Sequence, residues 1–201
     1  MAELYAEVRA TPEPSDAHAL WRSRRDRLFT AHPASPLLPE DPLRTTGLPY
    51  WPYDPALRWR LPIEDATELT REVPTAGDGV IRLVRIGQLL LPDPISASLD
   101  VWWLAQYGGG VFLPIRDATS GPESYGGGRY LLDTAKGADL GGDERTVVVD
   151  LNFAYHPSCR YNPRWECPLA PEGNRLDAPV RAGERLSPTI DDDGAPRGAK
   201  R

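Results

Sequence analysis

Apolar and polar side chains alternate along most of the chain after Pro55. Residues 57–61 read L-R-W-R-L. Similar short segments follow at 80–86, 88–91, 99–104, 110–115, 128–132 and 146–153. Alternation with a period of two is typical of strands that bury one face. Because turn residues and no helical pattern separate these segments, we predict a mainly β fold, an antiparallel β-sandwich or a flattened barrel. Gly87, between two segments, predicts a bend or a bulge.

The N-terminal part has a different pattern. We expect a flexible arm at residues 1–14, followed by a helix over residues 15–31 with Ser15 as its N-cap. Apolar residues of this helix, Trp21 among them, recur on one face, and Arg25 is expected to point away from that face. This predicts one amphipathic helix that closes an end of the sheet.

Prolines and aromatic residues are concentrated in residues 32–55. Proline fixes φ and lacks an N–H group, so this segment is predicted to be an irregular, extended wrap pinned by its aromatic side chains. A single β-rich domain is predicted over residues 15–186. The polar segment 187–201 is predicted to be disordered.

Composition and net charge exclude several classes of protein. The chain has 201 residues, 40% of them hydrophobic, and a net charge of -6. No apolar run reaches the ~18 residues of a membrane span, so no membrane association is expected. The negative charge argues against nucleic-acid binding, which requires clustered cations. The N-terminus lacks a basic start followed by an apolar stretch, which favours a soluble cytoplasmic protein.

Two cysteines, Cys159 and Cys167, lie eight positions apart. In a cytoplasmic protein they are expected to be reduced and structural, although a disulfide is geometrically possible. With His156 they supply three metal ligands, whereas a structural zinc site requires four, so we expect no metal. Reactive-thiol chemistry would require a lowered pKa at Cys159, for which neighbouring Arg160 is a candidate cause.

Two blocks concentrate polar, aromatic and sulfur side chains. One is 112–130, F-L-P-I-R-D-A-T-S-G-P-E-S-Y-G-G-G-R-Y, and the other is 150–184, with D-L-N-F-A-Y, P-S-C-R-Y, C-P-L, N-R-L and R-A-G-E. Together they resemble the family known as DUF1684, a domain of unknown function. The resemblance implies a mostly β fold and brings no activity. This chain departs from the family pattern at His156, where Asn is usual, and at Gly173, where Glu is usual.

The segment Asp117–Gly121 reads D-A-T-S-G. Asp, Thr and Ser side chains hydrogen bond to nearby backbone N–H groups, so a tight turn is the simplest interpretation. The alternative makes Thr119 or Ser120 a nucleophile, which requires an adjacent base. Ser120, His156 and Asp150 form one such hypothetical set. The glycines before Arg129 lack the spacing of a phosphate-binding loop, and we expect no cofactor.

Strand alternation places Asp150 and Asn152 on one face. Arg129 is expected either to pair with Asp117 or Asp150, or to present its guanidinium group to an anionic ligand. If the two blocks converge, their polar side chains form either a self-satisfied network or a ligand pocket. The predicted ligand-binding residues are Asp117, Thr119, Ser120, Arg129, Tyr130, Asp150, Asn152 and Tyr155.

Three functions follow as hypotheses. The first is the binding of a small, anionic organic ligand in that pocket. The second is an enzyme of hydrolase or isomerase type, with Asp150, Tyr155 or Tyr130 as acid or base. The third is a structural or interaction protein, in which the polar motifs satisfy one another and an apolar patch is exposed, with Trp102 and Trp103 on opposite faces of a strand.

Overall fold

A computed structural model describes residues 1–74, 79–105 and 109–187 of the chain. Three α-helices precede the strands in these residues. They are α1 (Ala2–Ala10), α2 (Pro14–Ala31) and the one-turn helix α3 (Leu43–Thr46). The strands are β1 (Arg58–Pro62), β2 (Thr70–Pro74), β3 (Val80–Leu91), β4 (Ala97–Leu104), β5 (Val111–Ile115), β6 (Arg129–Asp133) and β7 (Thr146–Asp150).

The strands form two antiparallel sheets. The larger has the order β2-β3-β4-β5-β6, and the smaller pairs β1 with β7. Neither sheet closes into a barrel within the described residues, so the predicted antiparallel class is confirmed and the arrangement is consistent with a sandwich rather than a barrel. Apolar side chains from both sheets form the main core, including Leu61, Leu89, Leu113 and Val149.

The sheet differs from the prediction in two places. β3 runs continuously past Gly87, and its register with β4 shifts between Arg85 and Gly87, so the predicted irregularity is a bulge within one strand. The backbone of Glu64 packs so closely there that a side chain at Gly87 would collide with it. The sequence pattern does not predict β2, because its T-R-E-V sequence has too few apolar residues to alternate.

Residues 1–14 are not the expected flexible arm. Most of them form α1, whose Leu4, Tyr5 and Val8 lie on one face and are buried. The Tyr5 hydroxyl accepts a hydrogen bond from the indole N–H of Trp21 at 3.1 Å, which fixes α1 against α2. The apolar spacing within the first eight residues is what anchors this helix.

The helix α2 begins one residue earlier than predicted, with Pro14 in its first turn instead of a Ser15 cap. Proline suits this position because its missing N–H would have no partner there. Arg25 is only 2% exposed, contrary to the expectation that it points away from the apolar face. A buried partner, Glu184, makes this burial possible.

The proline-rich segment 32–55 is irregular except for α3, in agreement with the predicted wrap. Trp51 is buried, and its backbone N–H donates to the Gly183 carbonyl at 3.0 Å. Apart from Ser187, the segment predicted to be a disordered tail lies outside the described residues. None of the described helices is long and apolar enough to cross a membrane.

Candidate functional site

Asp117 and Arg129 form a fully buried ion pair that joins β6 to the segment after β5. The Arg129 guanidinium donates to the Asp117 carboxylate at 2.7 Å, and it also donates to the carbonyl oxygens of Val180, Ala182 and Glu184. Burial opposes ionisation of Asp117, but Arg129 and hydrogen bonds outweigh it and lower the pKa of this carboxyl. Of the two predicted roles of Arg129, pairing with Asp117 is therefore the one observed.

The D-A-T-S-G segment folds as the predicted tight turn. The Asp117 carboxylate accepts from the Thr119 backbone N–H at 2.8 Å, and the Ser120 backbone N–H donates to the Asp117 carbonyl at 2.9 Å. The hydroxyl of Thr119 bonds to that of Ser124 at 2.9 Å. Gly121 has φ +107°, a conformation that side-chain-bearing residues rarely adopt. These contacts give Thr119 a structural role.

Gly128 places Arg129 at the start of β6. Its φ is +91°, and a side chain there would collide with the Ile115 carbonyl oxygen. The close approach agrees with the register shift in the β5–β6 ladder between Leu113 and Pro114. The glycine-rich segment thus serves close backbone packing.

Glu184 is a buried carboxylate at the centre of a hydrogen-bond network that the sequence did not predict. Its carboxylate accepts from the Arg25 guanidinium at 3.1 Å and from the His156 backbone N–H at 3.0 Å, and the Tyr161 hydroxyl also donates to it. Burial alone would raise the pKa of Glu184, but Arg25 and His156 reverse the effect and lower it. One carboxylate therefore ties α2 to the segment after β7.

His156 is committed to the same network. Its Nε2 accepts from the Tyr125 backbone N–H at 3.1 Å, and its Nδ1 faces Glu184 at 3.4 Å. Burial lowers the pKa of His156, which favours the neutral ring. Both ring nitrogens therefore face partners other than Ser120 and Asp150, so the hypothetical Ser–His–Asp set is not assembled. No group of three or more His, Cys, Asp or Glu in the described residues is arranged to hold a metal.

Asp150 and Asn152 form a separate cluster beneath the wrap. They are not neighbours on a strand face, because the chain enters a 3₁₀ turn at Leu151, and the Asp150 carboxylate accepts from the Asn152 backbone N–H at 3.0 Å. The Asn152 amide bonds to both the N–H and the carbonyl of Asp54, each at 2.8 Å. Tyr53 and Arg58 each donate to Asp150 at 3.3 Å.

Asn152→Ala is expected to lower the free energy of unfolding by about 2 kcal/mol, because both backbone groups of Asp54 lose their partner. Urea unfolding followed by tryptophan fluorescence measures the change. Asn162→Ala is the matched control, since the Asn162 side chain accepts one bond from the Arg164 N–H in an exposed turn. We expect the control to change stability by less than about 0.5 kcal/mol. Equal effects would contradict a special role for Asn152.

The structure therefore divides the eight predicted ligand-binding residues instead of bringing them into one pocket. Asp117, Thr119 and Arg129 belong to one buried network, and Asp150 and Asn152 to another. Ser120 lies in the turn. Tyr130 and Tyr155 pair through their backbones and stack edge-on, with ring centroids 5.8 Å apart.

A half-enclosed cavity of about 270 Å³ lies between the large sheet and the segment after β7. Ile81, Leu104, Phe112 and Tyr130 line it from the sheet. The remaining lining residues are Asp133, Ala135, Lys136, Ser158, Trp165, Glu166, Cys167 and Pro168. Tyr130 is the one predicted ligand-binding residue among them.

Polar groups also line this cavity. The Lys136 ammonium group pairs with the Asp133 carboxylate at 2.8 Å, and Lys136 is exposed while Asp133 is buried. The other Asp133 oxygen is buried without a hydrogen-bond partner among the described residues. The Tyr130 hydroxyl donates to the Pro168 carbonyl at 2.7 Å, which holds the covering segment against β6.

The two cysteines are free, half-buried thiols. Neighbouring Cys159 lowers the pKa of Cys167 against the opposing effect of burial, and the Lys136 ammonium acts in the same direction to a lesser degree. Neighbouring Cys167 and burial both raise the pKa of Cys159. The condition named for reactive-thiol chemistry, a lowered pKa at Cys159, is therefore not met.

Three important residues were missed from the sequence: Asp133, Lys136 and Glu184. Asp133 ends the apolar R-Y-L-L run and Lys136 follows it by three positions, which is the one local signal for the pair. Trp102 is buried and Trp103 is 41% exposed, as expected of neighbouring strand residues.

Fold and side chains together define an antiparallel β protein in which the buried Arg129 guanidinium joins the two motif blocks by hydrogen bonds to backbone carbonyl groups. The chain belongs to the family described as "Protein of unknown function (DUF1684)", whose sequence model matches residues 44–185. The resemblance seen in the two motif blocks is thereby confirmed. No curated protein matches the chain.

Among solved structures, the chain is similar to the uncharacterized protein from gene locus rrnAC0354 of Haloarcula marismortui, determined by solution NMR. The two sequences are 34% identical, and the alignment covers 82% of this chain and 90% of the other. The TM-score is 0.57, so the likeness includes the fold.

Proposed function

We propose that this protein binds a small organic molecule with an apolar body and one polar end in the cavity beside Tyr130 and Cys167. The observation that carries the proposal is the composition of this cavity, whose lining combines apolar sheet residues with a few polar side chains. Such a combination is typical of ligand sites. Its volume of about 270 Å³ suits a molecule with a single ring.

The polar end of the ligand would lie near the Lys136–Asp133 pair, which offers both an ammonium group and a carboxylate. An uncharged polar group fits such a pair better than a strongly anionic one. The anionic character predicted for the ligand rested on Arg129, whose guanidinium is already used by Asp117 and three carbonyl groups.

Other grooves support ligand binding less well. A larger one of about 460 Å³ between α1 and α2 is wider open, and its lining is the exposed margin of two helices. Another of about 290 Å³ passes Tyr53 and Arg58, and Asp150 is not among its lining residues. Neither encloses apolar surface beside a buried polar group to the same degree.

Binding is favoured over acid–base catalysis by the state of the tyrosines. Burial raises the pKa of Tyr130 and Tyr155 well above the usual value, so neither serves as a base near neutral pH, and the Tyr130 hydroxyl already donates its proton to the Pro168 carbonyl. Burial also raises the pKa of Asp150, but that carboxyl contacts Arg58 and Tyr53 away from the cavity.

The proposal is tested with indole, phenol and benzyl alcohol as probes. In ¹H–¹⁵N NMR spectra, the Trp165 indole signal, assigned with Trp165→Phe, is expected to shift and saturate with a dissociation constant of about 1 mM or tighter for at least one probe. Leu104→Trp fills the cavity from the sheet side and is expected to weaken that binding at least about tenfold.

Leu90→Trp is the matched control, because Leu90 lies on the outer face of the same sheet and is 60% exposed. It adds the same side chain without filling the cavity, so probe binding should be unchanged. Probe shifts that map elsewhere, or that survive Leu104→Trp in full, would refute the proposed site.

A further inference from the structure

We propose that the molecule bound in the cavity carries an uncharged hydrogen-bond donor, a hydroxyl or ring N–H group, and donates it to the Oδ1 atom of Asp133. The ligands selected in this way are phenols, benzylic alcohols and indole-like heterocycles, and ethers, furans and carboxylates of the same size are rejected. The inference rests on the proposed function, because it names the polar group that the same cavity selects.

The fold directs the Asp133 side chain into the cavity. Asp133 ends β6 and lies opposite Phe112 in the β5–β6 ladder, so the two side chains project from the same face of the sheet. Both residues line the cavity. The backbone N–H and carbonyl of Asp133 are both hydrogen bonded to Ala138, each at 2.9 Å. Main-chain contacts that do not depend on a ligand therefore hold the carboxylate at the cavity wall.

The two oxygens of this buried carboxylate differ in their partners. Asp133 is 1% exposed. Its Oδ2 accepts from the Lys136 ammonium group at 2.8 Å, whereas its Oδ1 is buried without a hydrogen-bond partner in the described part of the chain. The Tyr130 hydroxyl, which also belongs to a lining residue, donates instead to the Pro168 carbonyl. A buried acceptor without a donor is costly, so a donor supplied by the ligand stabilises the complex.

Charge restricts the donor to an uncharged group. The Lys136 ammonium group already balances the Asp133 carboxylate. A cationic ligand would bring a second positive charge beside Lys136, and a ligand carboxylate would place its oxygens against Oδ1, so each would meet a like charge. A neutral O–H or N–H group avoids both penalties.

Two pairs of isosteric probes test the inference in the wild-type protein, so the test does not depend on the folding of a variant. Indole is compared with benzofuran, in which an oxygen replaces the N–H group, and phenol is compared with fluorobenzene. The Trp165 indole NMR signal supplies the dissociation constants. Because the analogue leaves the charged Oδ1 unpaired, each donor should bind at least about tenfold more tightly than its analogue.

The opposite order is expected if the cavity offers no acceptor. Indole and phenol would then lose a hydrogen bond to water on entering, and their analogues would bind equally well or better. That result would overturn the inference and leave the proposed function standing, whereas the failure of every probe to bind in the cavity would refute both. Benzylamine binding more tightly than benzyl alcohol would overturn the restriction to uncharged donors.

Asp133→Asn assigns the selectivity to one atom. The amide oxygen of the variant keeps the contact with Lys136, whose ammonium group is only a donor, and the amide NH₂ group then takes the position of Oδ1. The ratio of the benzofuran to the indole dissociation constant should therefore fall from about 10 or more to about 1 or less. A ratio that stays at the wild-type value would overturn the role of Asp133.

Asp139→Asn is the matched control, since it makes the same chemical change in the same turn of the chain. Asp139 pairs with Arg9 at 3.0 Å and is not among the residues that line the cavity. This variant should keep the wild-type preference for indole over benzofuran. An equal loss of the preference in both variants would contradict recognition by Asp133.

Discussion

Replacing Asp117 with alanine is expected to lower the free energy of unfolding by about 3–5 kcal/mol. The change leaves the Arg129 guanidinium buried without its counter-charge, since neither side chain of the pair is exposed to solvent. The backbone N–H groups of Thr119 and Val180 lose their acceptor as well. Thermal or urea unfolding followed by circular dichroism measures the effect.

The exposed Arg181–Glu123 pair supplies the control. Its two hydrogen bonds each measure 2.9 Å, and both side chains are exposed to solvent. Exposed ion pairs contribute little, so Glu123→Gln should leave the unfolding midpoint nearly unchanged. A comparable loss in both variants would mean that charge pairing in general, and not burial, accounts for the effect.

A double-mutant cycle separates the pair from the rest of the network. If Asp117→Ala is destabilising because Arg129 is left unpaired, adding Arg129→Met should cause less further loss than Arg129→Met alone. Arg129 also bonds three carbonyl groups, and those remain without a donor in the double variant. The double variant should therefore stay below the wild type in stability. Strictly additive effects would contradict a coupled pair.

Much of the sheet could be predicted because strand burial has a local signature. Alternation located six of the seven strands found in the described residues. β2 was missed because Thr70, Arg71 and Glu72 leave Val73 as its one strongly apolar residue. The end of β7 was also missed. There the Asp150 side chain bonds to the Asn152 backbone, and this local competition with the strand is invisible to a pattern of apolar positions.

The buried ion pairs could not be located by pattern, because their partners are remote in sequence. Arg25 was expected to point away from the apolar face, yet it meets Glu184 across 159 positions. Arg129 and Asp117 are only 12 positions apart, and their pairing is among the contacts that the sequence predicts for Arg129. The ion pair between residues close in sequence could therefore be predicted, and the ion pair between remote residues could not.

The cavity was beyond sequence reasoning for the same reason. Its apolar floor comes from β3, β4 and β5, Lys136 from the turn after β6, and Cys167 from the covering segment. Lys136 lies 31 positions before Cys167 in the sequence, so no local pattern predicts that the two residues line the same cavity. The concentration of polar side chains in the two motif blocks predicts where the chain is most constrained. Most of these side chains hydrogen bond within the protein, so their role is structural.

His18 is expected to make the protein less stable as the pH falls from about 6.5 to 4. Its ring is 2% exposed and packs against Trp21 and Phe153, with centroids 5.6 and 5.2 Å away. Burial, with a smaller contribution from Arg22, lowers the pKa of His18 to about 4. Its Nε2 atom is buried without a hydrogen-bond partner among the described residues.

The direction of this change in stability follows from the difference in proton binding between the folded and unfolded chain. Between pH 6.5 and 4 the unfolded chain holds a proton on His18 and the folded protein does not, so acid favours unfolding. The pKa difference corresponds to a loss of about 3 kcal/mol, most of it reached by pH 4. His156, whose pKa is also lowered by burial, acts in the same direction, so the wild-type profile contains both contributions.

His18→Phe isolates the contribution of His18, because phenylalanine fills the aromatic site without a titrating group. Urea unfolding at pH 7.5, 6.0 and 4.5 should show the variant losing less stability than the wild type with each step toward acid. His32→Gln is the control, since His32 is exposed and its profile should run parallel to the wild type. If the His18→Phe profile is also parallel, the ring of His18 takes up its proton in the folded protein without penalty. The interior between α2 and the wrap would then have to admit charge, contrary to the packing of four aromatic rings around it.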